Sequence, residues 1–225
     1  MLGKYSNFIK EFKNSGYSDI FFNQISNQKG QLIIRHDIDY DCDYALDIAK
    51  IENSLGIKST FFFMLNNPIY NIFSKKNVSS IKKILDLGHK VSIHFDFDDG
   101  DIDKEVEIFE SYFSLKINIV SIHRPNFNKF DINKPIVINQ NRYIDHTYMD
   151  KYFKNIAYMS DSKGEFGYGH PIESEAYKNL KSIQLLIHPA WWMSEENTPI
   201  KIMQGVIKKN NKLNKSFFND NSLVF

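Results

Sequence analysis

The sequence predicts a single α/β domain built on a largely parallel sheet, either open or closed as a barrel. Strand-like segments alternate with helix-like segments over most of the 225 residues, and such alternation is typical of parallel sheets with crossover helices. Ionisable residues recur where the strands are predicted to end, which is the edge at which parallel α/β folds build their sites. No linker, low-complexity block or internal repeat divides the chain. We therefore predict one domain over residues 1–225.

Helices are predicted where apolar residues recur at spacings of three and four and a glycine follows. In the second of them, Ala45, Ile48 and Leu55 would share one face and Gly56 would end the helix. The predicted helices cover residues 5–14, 43–56, 78–88 and 103–115, and a last helix begins near residue 198.

Strands are predicted where β-branched and aromatic residues run together or alternate with polar residues. The segment 59–65 is rich in phenylalanine, whereas 90–96 alternates as a half-buried strand should. The stronger strand predictions are 31–39, 59–65, 90–96 and 118–125, and the weaker ones are 134–139, 155–161 and 182–189.

The composition excludes several classes of protein. The net charge of +1 argues against a nucleic-acid or anionic-membrane partner, which would require a concentrated basic face, and we interpret the lysines of 208–212 as a solvated helix face and tail. A single cysteine, Cys42, excludes an internal disulfide framework. No run approaches the ~18 apolar residues of a membrane span, and the amphipathic N-terminus lacks the apolar core of a secretion signal. We therefore expect a cytoplasmic protein.

The first strong strand ends in a cluster of ionisable residues, and its two aspartates are the leading candidates for chemistry. Because side chains alternate along a strand, Asp37 and Asp39 would face the same space, together with Arg35. Two close carboxylates repel each other unless a cation or a proton intervenes. One carboxylate would then bind a metal while the other acts as a base; the alternative is a structural ion-pair network or a helix N-cap.

Histidines at two other strand ends are candidate metal ligands. His94 shares its face with Asp96 in the strand 90–96, and beside Asp39 it becomes a credible ligand, because imidazole and carboxylate suit zinc and other first-row divalent ions. His123 ends the strand 118–125 and is the preferred third ligand. Asp98, four residues after His94, is the alternative, although its loop is equally consistent with a solvated acidic turn.

Two further strand ends supply candidate catalytic groups. Arg124 would lower the pKa of a neighbouring carboxylate base and fix its orientation. His188 ends the strand 182–189 next to Trp191 and Trp192, an arrangement that indicates a general acid beside a wall for a sugar ring. The alternative for the tryptophans is a structural role at the last seam of the sheet.

With these residues assembled, the chain resembles polysaccharide deacetylases of the NodB-homology type, carbohydrate esterase family four, and more narrowly their RHDVD-containing branch associated with bacterial surface polysaccharides. The motifs that carry the resemblance span most of the chain in the expected order: RHDID (35–39), LGIKSTFFF (55–63), GHKVSIHFD (88–96), SIHRP (121–125), YMSDSKGEF (158–166) and LIHPAWW (186–192).

The resemblance implies a distorted (β/α)7 barrel and a metal-dependent deacetylase of an N- or O-acetylated sugar or oligosaccharide. It carries the base to Asp37 and the metal ligands to Asp39 and His94, with zinc preferred and cobalt, nickel or iron as alternatives. It carries further catalytic roles to Arg124 and His188 and a supporting role to Asp161. Tyr40, Trp191 and Trp192 are the predicted sugar-binding residues.

The sequence departs from the family pattern in two places. Ile38 separates the two aspartates that are usually adjacent, and the second histidine of the usual metal motif is missing after His94. Two alternative functions therefore stay open: a catalytically inactive carbohydrate-binding barrel, and another metal-dependent amide hydrolase on a related barrel. Metal content and a substrate panel would separate them.

Overall fold

A mainly parallel sheet organises the chain, which a computed structural model describes for residues 2–167 and 169–222. The described strands are β1 (Ser18–Asp19), β2 (Gln31–Ile38), β3 (Thr60–Phe63), β4 (Lys90–Phe95), β5 (Ile119–Ile122), β6 (Ile136–Ile138), β7 (Arg142–His146), β8 (Ala157–Ser160) and β9 (Ile183–Ile187). They run in the order β6-β7-β5-β4-β3-β2-β9-β8, with β1 beside β2. Every ladder is parallel except the hairpin of β6 and β7.

The helices follow the strands as an α/β fold requires. They are α1 (Tyr5–Asn14), α2 (Cys42–Ser54), α3 (Lys75–Asp86), α4 (Ile102–Phe113), α5 (Asp150–Phe153), α6 (Glu175–Lys178), α7 (Pro189–Met193) and α8 (Pro199–Asn221). Asp41 caps α2 by accepting a hydrogen bond from the backbone N–H of Asp43 at 2.9 Å. The predicted α/β class with a parallel sheet is confirmed.

Strand β8, at one edge of the sheet, faces the chain that follows β7 across a gap. Among the described residues, no backbone ladder joins β8 to β7. Side chains cross this gap instead: Gln184 Nε2 donates to the carbonyl oxygens of Thr147 and Tyr152 at 3.1 and 2.6 Å, and the rings of Tyr148 and Tyr158 lie 6.1 Å apart. The gap is therefore bridged by buried polar and aromatic contacts.

Two parts of the sheet differ from the sequence prediction. Strand β7 is not among the strands predicted from the sequence, because its polar residues Arg142 and Asp145 obscure the apolar alternation. Strand β6 was predicted correctly as a strand, but it pairs antiparallel with β7 rather than continuing the parallel pattern. The short helices α5, α6 and α7 span only four or five residues, too few for a helical period to show.

Strand β2 lies in the middle of the fold and is buried along its whole length. Its neighbours β3 and β9 pair with it on either side, placing Phe62 opposite Asp37 and Ile187 opposite His36. This central position explains the apolar run Leu32, Ile33 and Ile34 near the start of the strand. No helix in the described ranges is both long enough and apolar enough to cross a lipid bilayer.

Candidate active site

The carboxyl ends of the parallel strands border a cleft of about 580 Å³. The predicted site residues that line it are Asp37, Asp39, Tyr40, His94, His123, Arg124, His188 and Trp191. These residues come from four separate strand ends and the helix that follows β9. The fold therefore brings most of the candidate chemistry into one cavity.

Three of these side chains direct ligand atoms at one another, all within 4.8 Å. His94 Nε2 lies 3.0 Å from His123 Nδ1 and 3.3 Å from Asp39 Oδ1, and His123 Nδ1 lies 3.8 Å from the same oxygen. A point equidistant from the three atoms is about 2 Å from each, which matches zinc–nitrogen and zinc–oxygen bonds. Asp39 Oδ1 is buried and accepts no well-formed hydrogen bond from any described residue. These atoms fit a divalent ion.

The hydroxyl of Ser121 selects the tautomer of His94 that a metal requires. Ser121 Oγ lies 2.8 Å from His94 Nδ1 and 3.0 Å from both carboxylate oxygens of Asp37. Because the hydroxyl has one proton, all contacts are satisfied when it donates to Asp37 and accepts from His94 Nδ1–H. His94 Nε2 is then unprotonated and faces Asp39. Sequence reasoning missed Ser121, although it lies two residues before His123 and so shares its strand face.

Arg35 holds the candidate base from the same strand. Its Nε and Nη2 donate to the two carboxylate oxygens of Asp37 at 2.9 and 2.6 Å, and Nη2 also donates to Ser121 Oγ at 2.6 Å. Burial alone would raise the pKa of Asp37, but the charge of Arg35 lowers it below its ordinary value. Asp37 is therefore an oriented, ionised carboxylate at the floor of the cleft.

Arg124 does not take the position expected for it. Its Nη2 donates to Asp96 Oδ2 at 2.6 Å, and its side chain is 68% exposed. The backbone at Arg124 adopts φ +43°, and this bend turns the chain after His123 so that both residues border the cleft. The prediction that Arg124 orients Asp37 is corrected: Arg35 makes that contact, because it shares the strand face of Asp37.

His188, which is 12% exposed, and Asp161, which is fully buried, form a hydrogen-bonded pair. His188 Nδ1 lies 2.6 Å from Asp161 Oδ1, and the backbone N–H of His188 also donates to this carboxylate. Burial alone would lower the pKa of His188, but the charge and hydrogen bond of Asp161 raise it to about 9. His188 is therefore an imidazolium at neutral pH. Its Nε2 lies 3.8 Å from Asp39 Oδ2, beside the three-ligand cluster.

The two tryptophans have different surroundings. Trp191 borders the cleft with its ring 5.4 Å from that of Tyr40, in an edge-to-face arrangement. Trp192 is 7% exposed, stacks on Phe8 at 4.8 Å and donates its indole N–H to Asp161 Oδ2 at 2.7 Å. The prediction that Trp192 binds sugar is corrected: its ring packs in the core and its N–H holds Asp161.

Asp98 and the remaining histidines lie outside the cluster. The carboxylate of Asp98 pairs with Lys129, and its side chain is 64% exposed, so the structure favours His123 over Asp98 as third ligand. His89 is buried and contacts the carbonyl oxygen of Ala49, as expected for a structural residue. His146 is also buried and does not line the cleft. Cys42 is a buried free cysteine.

Comparison with known proteins gives distant likenesses only. No protein-family model and no curated protein sequence matches the chain. The chain is similar to the structure of a family 4 carbohydrate esterase from Bacillus anthracis, with 14% identity, a TM-score of 0.47, and coverage of 91% of this chain and 86% of the other. It is also similar to the structure of the chitin deacetylase from the fungal pathogen Colletotrichum lindemuthianum, with 15% identity, a TM-score of 0.38, and coverage of 85% and 86%. Both likenesses are too distant to assign a family or a chemistry.

Proposed function

We propose that this protein is a metal-dependent hydrolase that removes an acetyl group from an N- or O-acetylated sugar, on a distorted (β/α)7 barrel. One observation carries the proposal. The three-ligand cluster of Asp39, His94 and His123 lies between an ionised carboxylate, Asp37, and an imidazolium, His188. A metal site flanked by one base and one acid is the minimal apparatus for hydrolysing an amide or ester.

Asp39, His94 and His123 would hold the metal, with zinc as the preferred ion and cobalt, nickel or iron as alternatives. A divalent ion bound there would polarise the acetyl carbonyl and increase the acidity of water. Burial and the neighbouring His94 lower the pKa of His123, which keeps its imidazole neutral as a ligand must be. Three protein ligands leave room for a substrate or water, the pattern of catalytic zinc sites.

Asp37 would act as the general base. Its Oδ2 lies 3.6 Å from His94 Nε2, so a water beside the cluster is within its reach. Arg35 and Ser121 donate hydrogen bonds to both carboxylate oxygens of Asp37. The carboxylate that accepts the proton of the water is therefore held in place. The lowered pKa makes Asp37 a weak base on its own, and the chemistry therefore depends on the increased acidity of the water.

His188 would act as the general acid. Asp161 occupies Nδ1, so the proton available to the substrate is on Nε2, which faces the cluster. Transfer of this proton to the leaving amine or alkoxide completes the cleavage. Trp192 holds the second oxygen of Asp161 and thereby keeps the pair in place.

An acetylated sugar suits the remainder of the cleft. A cavity of about 580 Å³ lies within the range of ordinary ligand sites. Tyr40 and Trp191 offer aromatic surface at its wall, on which the apolar face of a sugar ring can pack. The ordered motifs of the sequence, which resemble those of polysaccharide deacetylases, support acetyl removal and a role in bacterial surface-polysaccharide metabolism.

Metal content and acetate release test the proposal together. Protein purified without chelators is expected to contain about one divalent ion per chain, measured by elemental analysis, and His94→Ala is expected to lose it. Asp98→Ala is the matched control and is expected to retain it. On a panel of N- and O-acetylated sugars, Asp37→Asn should release no acetate while keeping its metal.

Each contrary result has a defined meaning. A wild-type protein that binds no metal in excess zinc would refute the hydrolase and favour a non-catalytic carbohydrate-binding barrel. A metal-loaded protein that is inactive on every sugar but cleaves cyclic amides would favour the other amide-hydrolase alternative. Loss of metal from Asp37→Asn would refute the division of roles between Asp37 and Asp39.

A further inference from the structure

The C-terminal helix α8 leaves the body of the protein after its first three turns. Ile202 and Val206 are buried, Lys209 pairs with Asp43 at 2.9 Å and with Asp41, and Asn210 Nδ2 donates to the carbonyl oxygen of Ile69 at 2.9 Å. Every residue from 211 to 222 is exposed. The last three turns of α8 therefore project from the fold.

This projecting helix carries an exposed apolar stripe. At the α-helical rotation of about 100° per residue, its large apolar side chains fall within an arc of about 140°. The exposed ones are Ile200, Met203, Ile207, Leu213, Phe217 and Phe218, with exposed fractions of 66%, 39%, 58%, 59%, 65% and 48%. Isolated exposed apolar residues are ordinary, but a stripe along one helix marks an interaction surface.

The opposite side of α8 is basic. Lys201, Lys208, Lys212 and Lys215 fall within a second arc of about 60° on the same helical projection. Asp220 is the single acidic residue between 199 and 221 in the sequence. The sequence-based prediction of no basic face rested on the net charge of the whole chain. The structure differs from that expectation, because α8 concentrates four lysines on one side of the helix.

The sequence of the projecting turns does not favour an isolated helix in water. Five asparagines lie between 210 and 221, and asparagine is a poor helix former. Most helical stability in proteins comes from packing an amphipathic face. The side chains of Leu213 and Phe217 in these turns are 59% and 65% exposed. A surface that covers the stripe would therefore stabilise the helix.

We propose that α8 docks on an anionic lipid surface, with its apolar stripe in the interface and its lysines on the headgroups. Aromatic and aliphatic residues on one side and lysines on the other are the pattern of interfacial helices. A second copy fits less well, because pairing of α8 with α8 through the stripe would leave these lysines without anionic partners, whereas an anionic surface supplies them. Met203 belongs to the stripe and also lines the cleft, so the mouth of the cleft would open beside the bilayer.

Vesicle binding by the full chain tests this docking independently of any hydrolase activity. Wild-type protein is expected to co-sediment with vesicles of phosphatidylcholine containing about one-third phosphatidylglycerol and to dissociate in high salt, which shortens the Debye length. Lys212→Gln with Lys215→Gln should weaken partitioning about tenfold or more, since each lysine near an anionic surface contributes about 1 kcal/mol. Phe217→Ser should weaken it about tenfold or more by loss of apolar burial.

Matched controls separate docking from general charge and hydrophobicity. Lys104→Gln with Lys134→Gln removes two exposed lysines elsewhere, and Tyr143→Ser removes an aromatic side chain that is 68% exposed on β7. Both controls should bind as the wild type does. Circular dichroism checks that each variant is folded; Phe217 is exposed, so its loss leaves the core intact.

Three outcomes would overturn the proposal. The first is no binding of the wild type to anionic vesicles at low salt. The second is binding that the α8 variants leave unchanged. The third is a concentration-dependent dimer, seen by sedimentation and lost in Phe217→Ser, without vesicle binding; this would assign the stripe to a second copy of the chain.

Discussion

Replacing Asp161 by asparagine should convert His188 from an imidazolium to a neutral imidazole at neutral pH. Burial opposes the charge on His188, and Asp161 supplies the largest compensating interaction, with the Nδ1–Oδ1 contact at 2.6 Å. The pKa of His188 is raised from 6.5 to about 9. This difference corresponds to roughly 3 kcal/mol of preferential stabilisation of the charged form. Asparagine keeps the shape of the side chain but removes the charge.

The expected size of the effect depends on pH. With a pKa of about 9, nine-tenths of His188 is protonated at pH 8, whereas a pKa of 6.5 or lower leaves about 3% protonated. The rate of acetate release should therefore fall about 30-fold or more at pH 8 and much less at pH 6 from protonation alone. Removal of a merely structural contact would lower the rate equally at both pH values.

A direct measurement of the pKa avoids any dependence on the substrate. The Cε1–H resonance of His188 can be titrated by nuclear magnetic resonance in metal-free protein, and the midpoint in Asp161→Asn should lie well below that of the wild type. Trp192→Phe is the control, because it removes the indole hydrogen bond to Asp161 but keeps the carboxylate charge. Its midpoint should stay well above 6.5. An unchanged midpoint in Asp161→Asn would refute the argument.

The same pair predicts the sign of a stability change with pH. Because the pKa of His188 is higher in the folded state than the ordinary 6.5, its contribution to stability is fully present below pH 6.5 and is lost as the pH rises through about 9. Asp161→Asn should therefore lower the free energy of unfolding most at pH 6 and least above pH 9. Urea denaturation at the two pH values gives the comparison.

Three further predictions concern the groups around the cluster. Ser121→Ala should weaken metal affinity about 10- to 100-fold, since it removes the hydroxyl that orients a ligand imidazole. Arg35→Met should lower the free energy of unfolding by about 3 kcal/mol or more, because it leaves the buried carboxylate of Asp37 unpaired. Arg124→Met should change it little, because the side chain of Arg124 is 68% exposed. Burial and neighbouring aspartates raise the pKa of Glu105 to about 7, so its ionisation at higher pH opposes folding. Glu105→Gln should therefore raise the free energy of unfolding by about 1–2 kcal/mol at pH 8 and have no such effect at pH 4.

These three predictions are checked by metal titration and by urea denaturation. Unchanged metal affinity in Ser121→Ala would show that the hydroxyl does not orient His94. Equal losses of stability in Arg35→Met and Arg124→Met would contradict the assignment of Arg35 as the partner of Asp37. A gain in Glu105→Gln that is the same at pH 4 and pH 8 would show that packing, rather than charge, limits stability at that position.

The local elements and the strand-end chemistry were predictable because they depend on short-range patterns. The boundaries of α1 were predicted to the residue, and β2 and β4 to within one residue. Periodicity and strand alternation act over a few residues, and the rule that strand ends meet at one edge needs no coordinates. These patterns were sufficient to select Asp39, His94 and His123 as candidates.

The partner of each site residue was not predictable, because pairing across the fold depends on register and on where the chain bends. Strand alternation placed Arg35 on the face of Asp37, but it could not show which of Arg35 and Arg124 contacts the carboxylate. The positive φ of Arg124 and the face that Arg35 shares with Asp37 decide between them. The role of Trp192 was hidden for a similar reason, since adjacent residues of a short helix can face the cleft and the core.

The run of ionisable residues in a fully buried strand is explained by the two faces of β2. Arg35 and Asp37 point toward the cleft and pair with each other, whereas His36 points to the other face and contacts Glu52 Oε1 at 2.8 Å. Tyr5 and Ser59 also donate to this glutamate. Each buried charge thus has a partner on its own side of the sheet, which offsets the penalty of burial.

This division has a consequence for the site. Because β2 is paired on both edges and bonded through its side chains on both faces, it holds the carboxylate of Asp37 with little freedom to move, and Asp39 follows directly after the strand ends at Ile38. The candidate base Asp37 near the end of this rigid strand and the candidate metal ligand Asp39 directly after it therefore keep a fixed separation. Hydrolysis at a metal site depends on that separation. The ionisable residues of IIRHDID therefore lie in the core, where the neighbouring strands and their side-chain partners restrain them.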